Sequence, residues 1–214
     1  IQVLGFIPKE NASDIFIKKY SEGYFIEIDF KKESINYGEK IKAESKTTQN
    51  FSQPENFVVL ECVNRLLEKG YKPENIILEK TWPSGHGTSG RLDICVTRED
   101  SSEYLLIECK TYGKEFDKEF ANMKKDGGQL FTYFKFSNKP DVIMLYASEL
   151  KGNEIVYRNE IIKIEDDYRT GDIKDFYEKW NKLSKDNGVF DHWVKPYIFE
   201  SKALSIKELE EIKE

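Results

Sequence analysis

Ser102-Glu103-Tyr104-Leu105-Leu106-Ile107-Glu108-Cys109-Lys110 is an apolar run that ends on a carboxylate and an ammonium two residues apart. Side chains alternate faces along a strand, so Glu108 and Lys110 share one face and Cys109 points into the opposite packing layer. A lone Glu-x-Lys at a strand end is ordinarily a surface ion pair worth ~0–1 kcal/mol. The neighbouring segments make this one more than that.

Upstream, Arg91 to Thr97 reads as a strand with Leu92, Ile94 and Val96 on one face and Asp93, Cys95 and Thr97 on the other. Arg98-Glu99-Asp100-Ser101-Ser102 supplies a hairpin turn. Antiparallel pairing across so short a turn brings the start of one strand beside the end of the next, so Asp93 is expected next to Glu108 and Lys110. Two carboxylates and a lysine at one end of a hairpin form a hard, oxygen-rich site of the kind that suits Mg²⁺. The lysine adds a donor that can orient a water or offset charge building on a phosphate.

Further upstream, Ile76-Ile77-Leu78-Glu79-Lys80 is the first core strand, and Trp82 to Gly90 is a glycine-rich loop. His86 in that loop has no second histidine nearby and is read as solvent-exposed; His192 is distant. A helix opened by Ser52 or Pro54 carries Phe57, Leu60, Val63 or Asn64, and Leu67 at helical spacing and closes at Gly70. Glu55 lies in its first turn, where the helix dipole favours an acid. Glu61 falls in mid-helix and is the other acid this helix offers.

Downstream, Thr111 to Asp126 is lysine-rich and weakly periodic, and Lys114, Lys118, Lys124, Lys125 and Lys135 stand close enough in sequence to the site to meet a phosphate backbone. In the following segment, Gly127 to Phe136, a helix would put Gln129 and Tyr133 on one face at i and i+4, with Leu130, Phe134 and Phe131 against a sheet. Asp141 to Tyr146 is nearly all apolar, as a strand at a sheet centre is.

The net charge of −6 argues against binding nucleic acid over the whole surface, but it leaves open a local groove governed by a few cations. At 214 residues the chain fits one domain, or one domain with an appendage. No apolar run approaches a membrane span and no signal pattern opens the chain, so a cytoplasmic protein is expected. Cys62, Cys95 and Cys109 each sit in an apolar run and read as reduced core thiols. At the start, Asp14 to Ile17 and Tyr24 to Phe30 look like a hairpin, with Ile26, Ile28 and Phe30 on one face and Ser21-Glu22-Gly23 as the turn; the second half of Lys31 to Asn50 reads as loop.

The order helix, three strands, helix, strand, with Asp93, Glu108-x-Lys110 and Gln129-x-x-x-Tyr133, resembles the PD-(D/E)xK nuclease superfamily over about residues 54–146. The Gln-x-x-x-Tyr element resembles that of type I restriction enzymes and RecB-like nucleases. The proline that names the motif is replaced by Leu92. The resemblance implies a restriction-endonuclease-like α/β fold: a mixed β-sheet core, α-β-β-β-α-β, over 51–165, with an N-terminal β-hairpin extension and loop over 1–50 and a C-terminal helical connector over 166–214. It also implies that Asp93 and Glu108 bind Mg²⁺, for which Mn²⁺ can substitute. Lys110 would assist the attacking water, Glu55 would be the acid of the first helix with Glu61 as the other choice, and Gln129 and Tyr133 would position DNA or the catalytic groups.

The implied activity is metal-dependent endonucleolytic hydrolysis of DNA within a restriction system. The implied partners are DNA and further domains or subunits, namely a methyltransferase, helicase or specificity subunit. No Walker A loop or Asn-Pro-Pro-Tyr motif occurs in the chain. Because it begins at Ile1 and ends on a charged segment, it is expected to be a piece of a longer polypeptide. Towards that end, Asp172 to Leu183 reads as a helix, Trp193 to Tyr197 as an aromatic link, and Ser205-x-x-Glu208 as a capping box. Two other readings stand beside the nuclease: a catalytically silent nuclease-like module for DNA binding or assembly, and a purely structural ion-pair cluster that binds neither metal nor DNA.

Overall fold

In the computed structural model, residues 1–20, 23–84, 87–88, 90–138 and 140–164 are described, with 84, 87 and 88 described through their backbone alone. The expected helix over 172–183, the link over 193–197, the capping box, the connector over 166–214, His86 and His192 all lie outside the described residues, as do Ser21 and Glu22 of the expected turn.

The chain opens with four strands, β1 (Ile7–Lys9), β2 (Ala12–Lys19), β3 (Phe25–Asp29) and β4 (Ser34–Asn36), which form an antiparallel sheet in that order. The expected hairpin is therefore the middle of a larger sheet. Ile26 and Ile28 are fully buried as their alternation requires, but Phe30 is 43% exposed. The reason is local: β3 ends at Asp29, whose carboxylate accepts the Lys32 N–H at 2.9 Å where the chain turns, so Phe30 stands at the end of the sheet, its own N–H on the Asp14 carbonyl at 2.9 Å. It meets Phe16 and Phe51 edge-on instead, each with ring centroids 5.4 Å away.

The next strand, β5 (Lys42–Ala43), lies where a loop was expected. It pairs parallel with β6 (Ile76–Lys80) at the edge of a second sheet. Between them runs α1 (Glu55–Glu68), with Pro54 at its N-cap and Lys69 at its C-cap. A two-stranded ribbon, β7 (Pro83–Ser84) and β8 (Gly87–Thr88), occupies the glycine-rich loop. Then come β9 (Leu92–Thr97), β10 (Glu103–Cys109), α2 (Lys114–Asp126), α3 (Gly128–Phe136), β11 (Val142–Lys151) and β12 (Glu154–Lys163). The large sheet has the order β12-β11-β10-β9-β6-β5, in which β10 pairs antiparallel with β9 and parallel with β11.

Two layers of side chains leave this sheet. Leu105, Ile107 and Cys109 of β10, with Val142, Met144 and Tyr146 of β11, pack with Val59, Cys62, Val63 and Leu66 of α1 and with Phe6, Ile26, Ile28 and Tyr37 of the N-terminal region. Leu106, Ile143 and Leu145 take the other face, under Phe116 and Met123 of α2 and Leu130, Phe131 and Tyr133 of α3. The described chain is thus a mixed α/β structure with helices on both faces of a six-stranded sheet. Covered on both faces, β10 is buried along its whole length, which explains its unbroken apolar run.

Three further expectations change. The weakly periodic stretch before Gly127 forms its own helix, α2, which buries Phe116, Glu119 and Met123; Gly127, at φ +89°, separates it from α3. Phe57 is 36% exposed and meets Phe51 at a tilt with centroids 5.1 Å apart, because α1 is covered on more than one side and its apolar stripe is wider than a single face. Leu92 packs with Cys95 and not with Ile94 and Val96, so the alternation of β9 breaks at Asp93. Among the described residues no helix is long and apolar enough to cross a membrane.

Candidate functional site

The break in β9 has a partner in β6. The register runs Ile77↔Cys95 and Leu78↔Ile94, omits Glu79 and Asp93, and resumes at Lys80↔Leu92. Glu79 there adopts φ +56°, in the left-handed region that a non-glycine residue rarely uses. Holding such a backbone costs ~1–3 kcal/mol. The interruption releases Asp93 from regular pairing beside a cleft.

On its other side β9 meets β10 with Ile94 opposite Ile107, and continuing that register sets Asp93 opposite Glu108. Asp93 Oδ2 accepts the Cys109 backbone N–H at 2.6 Å, so the carboxylate clasps the next strand beyond its ladder. Lys110 Nζ lies 2.6 Å from Glu108 Oε1 and 3.2 Å from Glu55 Oε1. The Lys110 backbone is fixed as well, its N–H donating to the Tyr146 carbonyl at 2.8 Å. Cys109, fully buried on the opposite face, anchors this arrangement, and Cys62, Cys95 and Cys109 are all free buried thiols. Asp93, Glu108, Lys110 and Glu55 are thus gathered in one place from three elements and the residue after β10.

They lie in a cleft of about 710 Å³ that Gln129 and Tyr133 of α3 also line. Tyr133 donates its hydroxyl to the Arg91 carbonyl at 3.0 Å. It also closes over Gly90, where an added Cβ would lie 3.3 Å from its ring on a backbone at φ +91°. A side chain at this position is therefore strained twice over. Gln129 is held through its backbone: its N–H donates at 2.8 Å to Glu119, a buried carboxylate of α2. Glu61, the other acid of α1, faces elsewhere. It pairs with Arg65 at 2.6 Å, accepts the Tyr146 hydroxyl at 2.5 Å, and borders a separate apolar groove of about 440 Å³.

The electrostatics follow from burial and crowding. Burial pushes the Asp93 carboxyl up to about 7, with Lys110 and the Cys109 N–H opposing and Glu55 and Glu79 adding to the rise. Burial, then the charge of Asp93, carries Glu108 well above the usual carboxylate range. Lys110 is held above its ordinary value although burial alone would lower it, because Glu108, Asp93 and Glu55 surround it. Tyr133 is raised by burial and by the acids Glu108 and Asp93. Glu108 Oε2 is buried without any hydrogen-bond partner among the described residues. Such an orphaned buried carboxyl oxygen is costly unless something else satisfies it. Among the described residues, no three histidines, cysteines or acids stand close enough to make a ready-formed cage for a metal ion.

Several lining residues were not among the sequence candidates, and two of them are an ion pair. Glu79, buried and left-handed, and Arg91, paired with it at 3.1 Å, lie within the cleft. Their only signal in the sequence is a charge inside or beside an apolar strand, which is also how a strand end looks. Lys114, Lys118, Lys124, Lys125 and Lys135, expected near a phosphate backbone, are not among the cleft's lining residues; they project from α2 and α3, where Lys124 covers the Phe120 ring at 4.2 Å. Neither a scan against protein-family models nor a search of curated proteins gives a match to this chain.

Proposed function

We propose that the chain carries a restriction-endonuclease-like core and is a metal-dependent DNA endonuclease domain. The observation that carries this reading is the Asp93–Glu108 pair with its orphaned Glu108 Oε2, set beside Lys110 at the floor of an open cleft. Carboxylate oxygens are the donors a hard divalent ion prefers, and the unpartnered oxygen fits such an ion. Asp93 and Glu108 would hold it. When bound, Mg²⁺ supplies Lewis acidity to a phosphodiester and lowers the pKa of a coordinated water.

The remaining work belongs to side chains. Lys110, its ammonium kept charged by Glu108 and Glu55, can hydrogen-bond an attacking water or a phosphate oxygen. Glu55, at the N-terminus of α1, is the second carboxylate holding that ammonium. Tyr133 and Gln129 form a wall of the cleft, against which a nucleic-acid strand can be set. A structure soaked in Mn²⁺ tests this reading: metal density between Asp93 and Glu108 is expected, and a soaked crystal without it contradicts the assignment.

One observation favours a second reading. Lys110 is already engaged by two carboxylates, so the cluster is partly self-satisfied as a network of ion pairs. A silent nuclease-like module for DNA binding or assembly would keep that network and cleave nothing. Linear and supercoiled DNA incubated with the chain in Mg²⁺ and in Mn²⁺ separate the two, since only the nuclease nicks either substrate.

A further inference from the structure

Among the described residues, five acids line the cleft, Glu44, Glu55, Glu79, Asp93 and Glu108, against two cations, Arg91 and Lys110. A polyanion entering such a site needs positive charge placed where it can be reached. Lys110 does not provide it at the surface, because its side chain is 15% exposed and engaged by two carboxylates. The Arg91 side chain is 49% exposed.

Arg91 is also gripped from several directions. Its Nε pairs with Glu79 Oε2 at 3.1 Å, its Nη1 donates to Ser45 Oγ at 3.1 Å, and its carbonyl accepts the Tyr133 hydroxyl at 3.0 Å. Glu79 stands at the left-handed break in β6, so a buried acid on a strained backbone grips one half-exposed guanidinium. A surface arginine with no task has no need of such a setting. Guanidinium offers five donors in a planar fork, and among the described residues nothing engages Nη2.

Resting on the nuclease reading above, the geometry points to Arg91 as the phosphate-binding residue of this cleft. Its Nη2 edge takes a non-bridging oxygen of the nucleic-acid backbone beside Asp93 and Glu108. Glu79 and Ser45 aim it, and the contact is blind to base sequence.

Binding of a fluorescein-labelled DNA duplex, followed by anisotropy in Ca²⁺ over a series of NaCl concentrations, tests this. Arg91→Ala is expected to weaken binding about ten-fold and to make the plot of log affinity against log salt shallower by about one. Because that variant leaves Glu79 buried and unpaired, the double variant Glu79→Gln/Arg91→Gln, which keeps a neutral hydrogen-bonding pair, is measured alongside and should show the same two changes. Arg91→Lys should keep the slope and recover part of the affinity. Wild-type affinity and slope in both the single and the double variant overturn the inference, as does a wild-type chain that binds no DNA. In that last case Mn²⁺ titration of the wild type shows whether the metal site stands without it.

Discussion

The Cys109 backbone N–H donates to Asp93 Oδ2 at 2.6 Å. That bond joins β9 to β10 where their ladder ends and fixes which way the Asp93 carboxylate faces. It leaves one carboxylate strapped to the strand carrying Glu108 and Lys110, with two further acids close by. The result is a crowded anionic pocket built on rigid central strands, and its behaviour with pH, with substitution and with metal follows from that crowding.

The first consequence is a pH-dependent stability. The Asp93 carboxyl titrates at about 7 when folded, and Glu108 is shifted in the same direction. An unfolded aspartate titrates at about 3.9. Between those values the folded chain binds more protons than the unfolded one, so stability is full below the unfolded value and falls as pH rises through the folded one. Lys110, also raised, titrates far above this window and does not offset the trend. Without metal, the chain should melt at a higher temperature near about pH 5.5 than near about pH 8, and Asp93→Asn should flatten the difference. Thermal melts across that range check it, and a flat wild-type profile would count against the burial of these acids.

The two acids of α1 should separate cleanly. Glu61→Gln weakens a buried network with Arg65 and Tyr146, at a cost of about 1–3 kcal/mol in denaturant unfolding, and leaves Mn²⁺ affinity as it was. Glu55→Gln removes a charge beside Lys110 in the cleft and should change Mn²⁺ affinity. The Glu55 side chain is 28% exposed. Its loss should therefore alter stability by less than about 1 kcal/mol. The reverse pattern would move the first-helix acid to Glu61.

The wall formed by α3 depends on α2. Glu119 caps the Gln129 N–H, and a Cβ on Gly128, at φ +56°, would lie 2.5 Å from Glu119 Oε1. Glu119→Ala should cost about 1–2 kcal/mol, comparable with losing a helix N-cap. Gly128→Ala should cost at least as much, because the backbone conformation and the space are both wrong for a side chain. Chemical denaturation measures both, and a neutral Gly128→Ala would mean that the α2–α3 junction is not held as described.

Much of this arrangement was legible in the chain itself because it rests on short-range pattern. The apolar run before Glu108, the turn at Arg98 to Ser102 and the helical pair Gln129 and Tyr133 are local, and the register across a short turn then places Asp93. What escaped depends on contacts distant in sequence. β5 is a two-residue strand given meaning only by β6, and α2 buries so few side chains that its period is faint. Glu79 and Arg91 matter through a backbone irregularity that no pattern announces. Between Glu55 and Glu61, which spacing left open, the contacts favour Glu55 for the proposed site, because Tyr146 and Arg65 engage Glu61 in the core.

Calorimetric titration with Mn²⁺ decides whether Asp93 and Glu108 form a divalent-metal site. Saturable binding to the wild-type chain is expected, with its loss in Asp93→Ala. Undiminished Mn²⁺ affinity in Asp93→Ala, or no binding by the wild type, would contradict such a site.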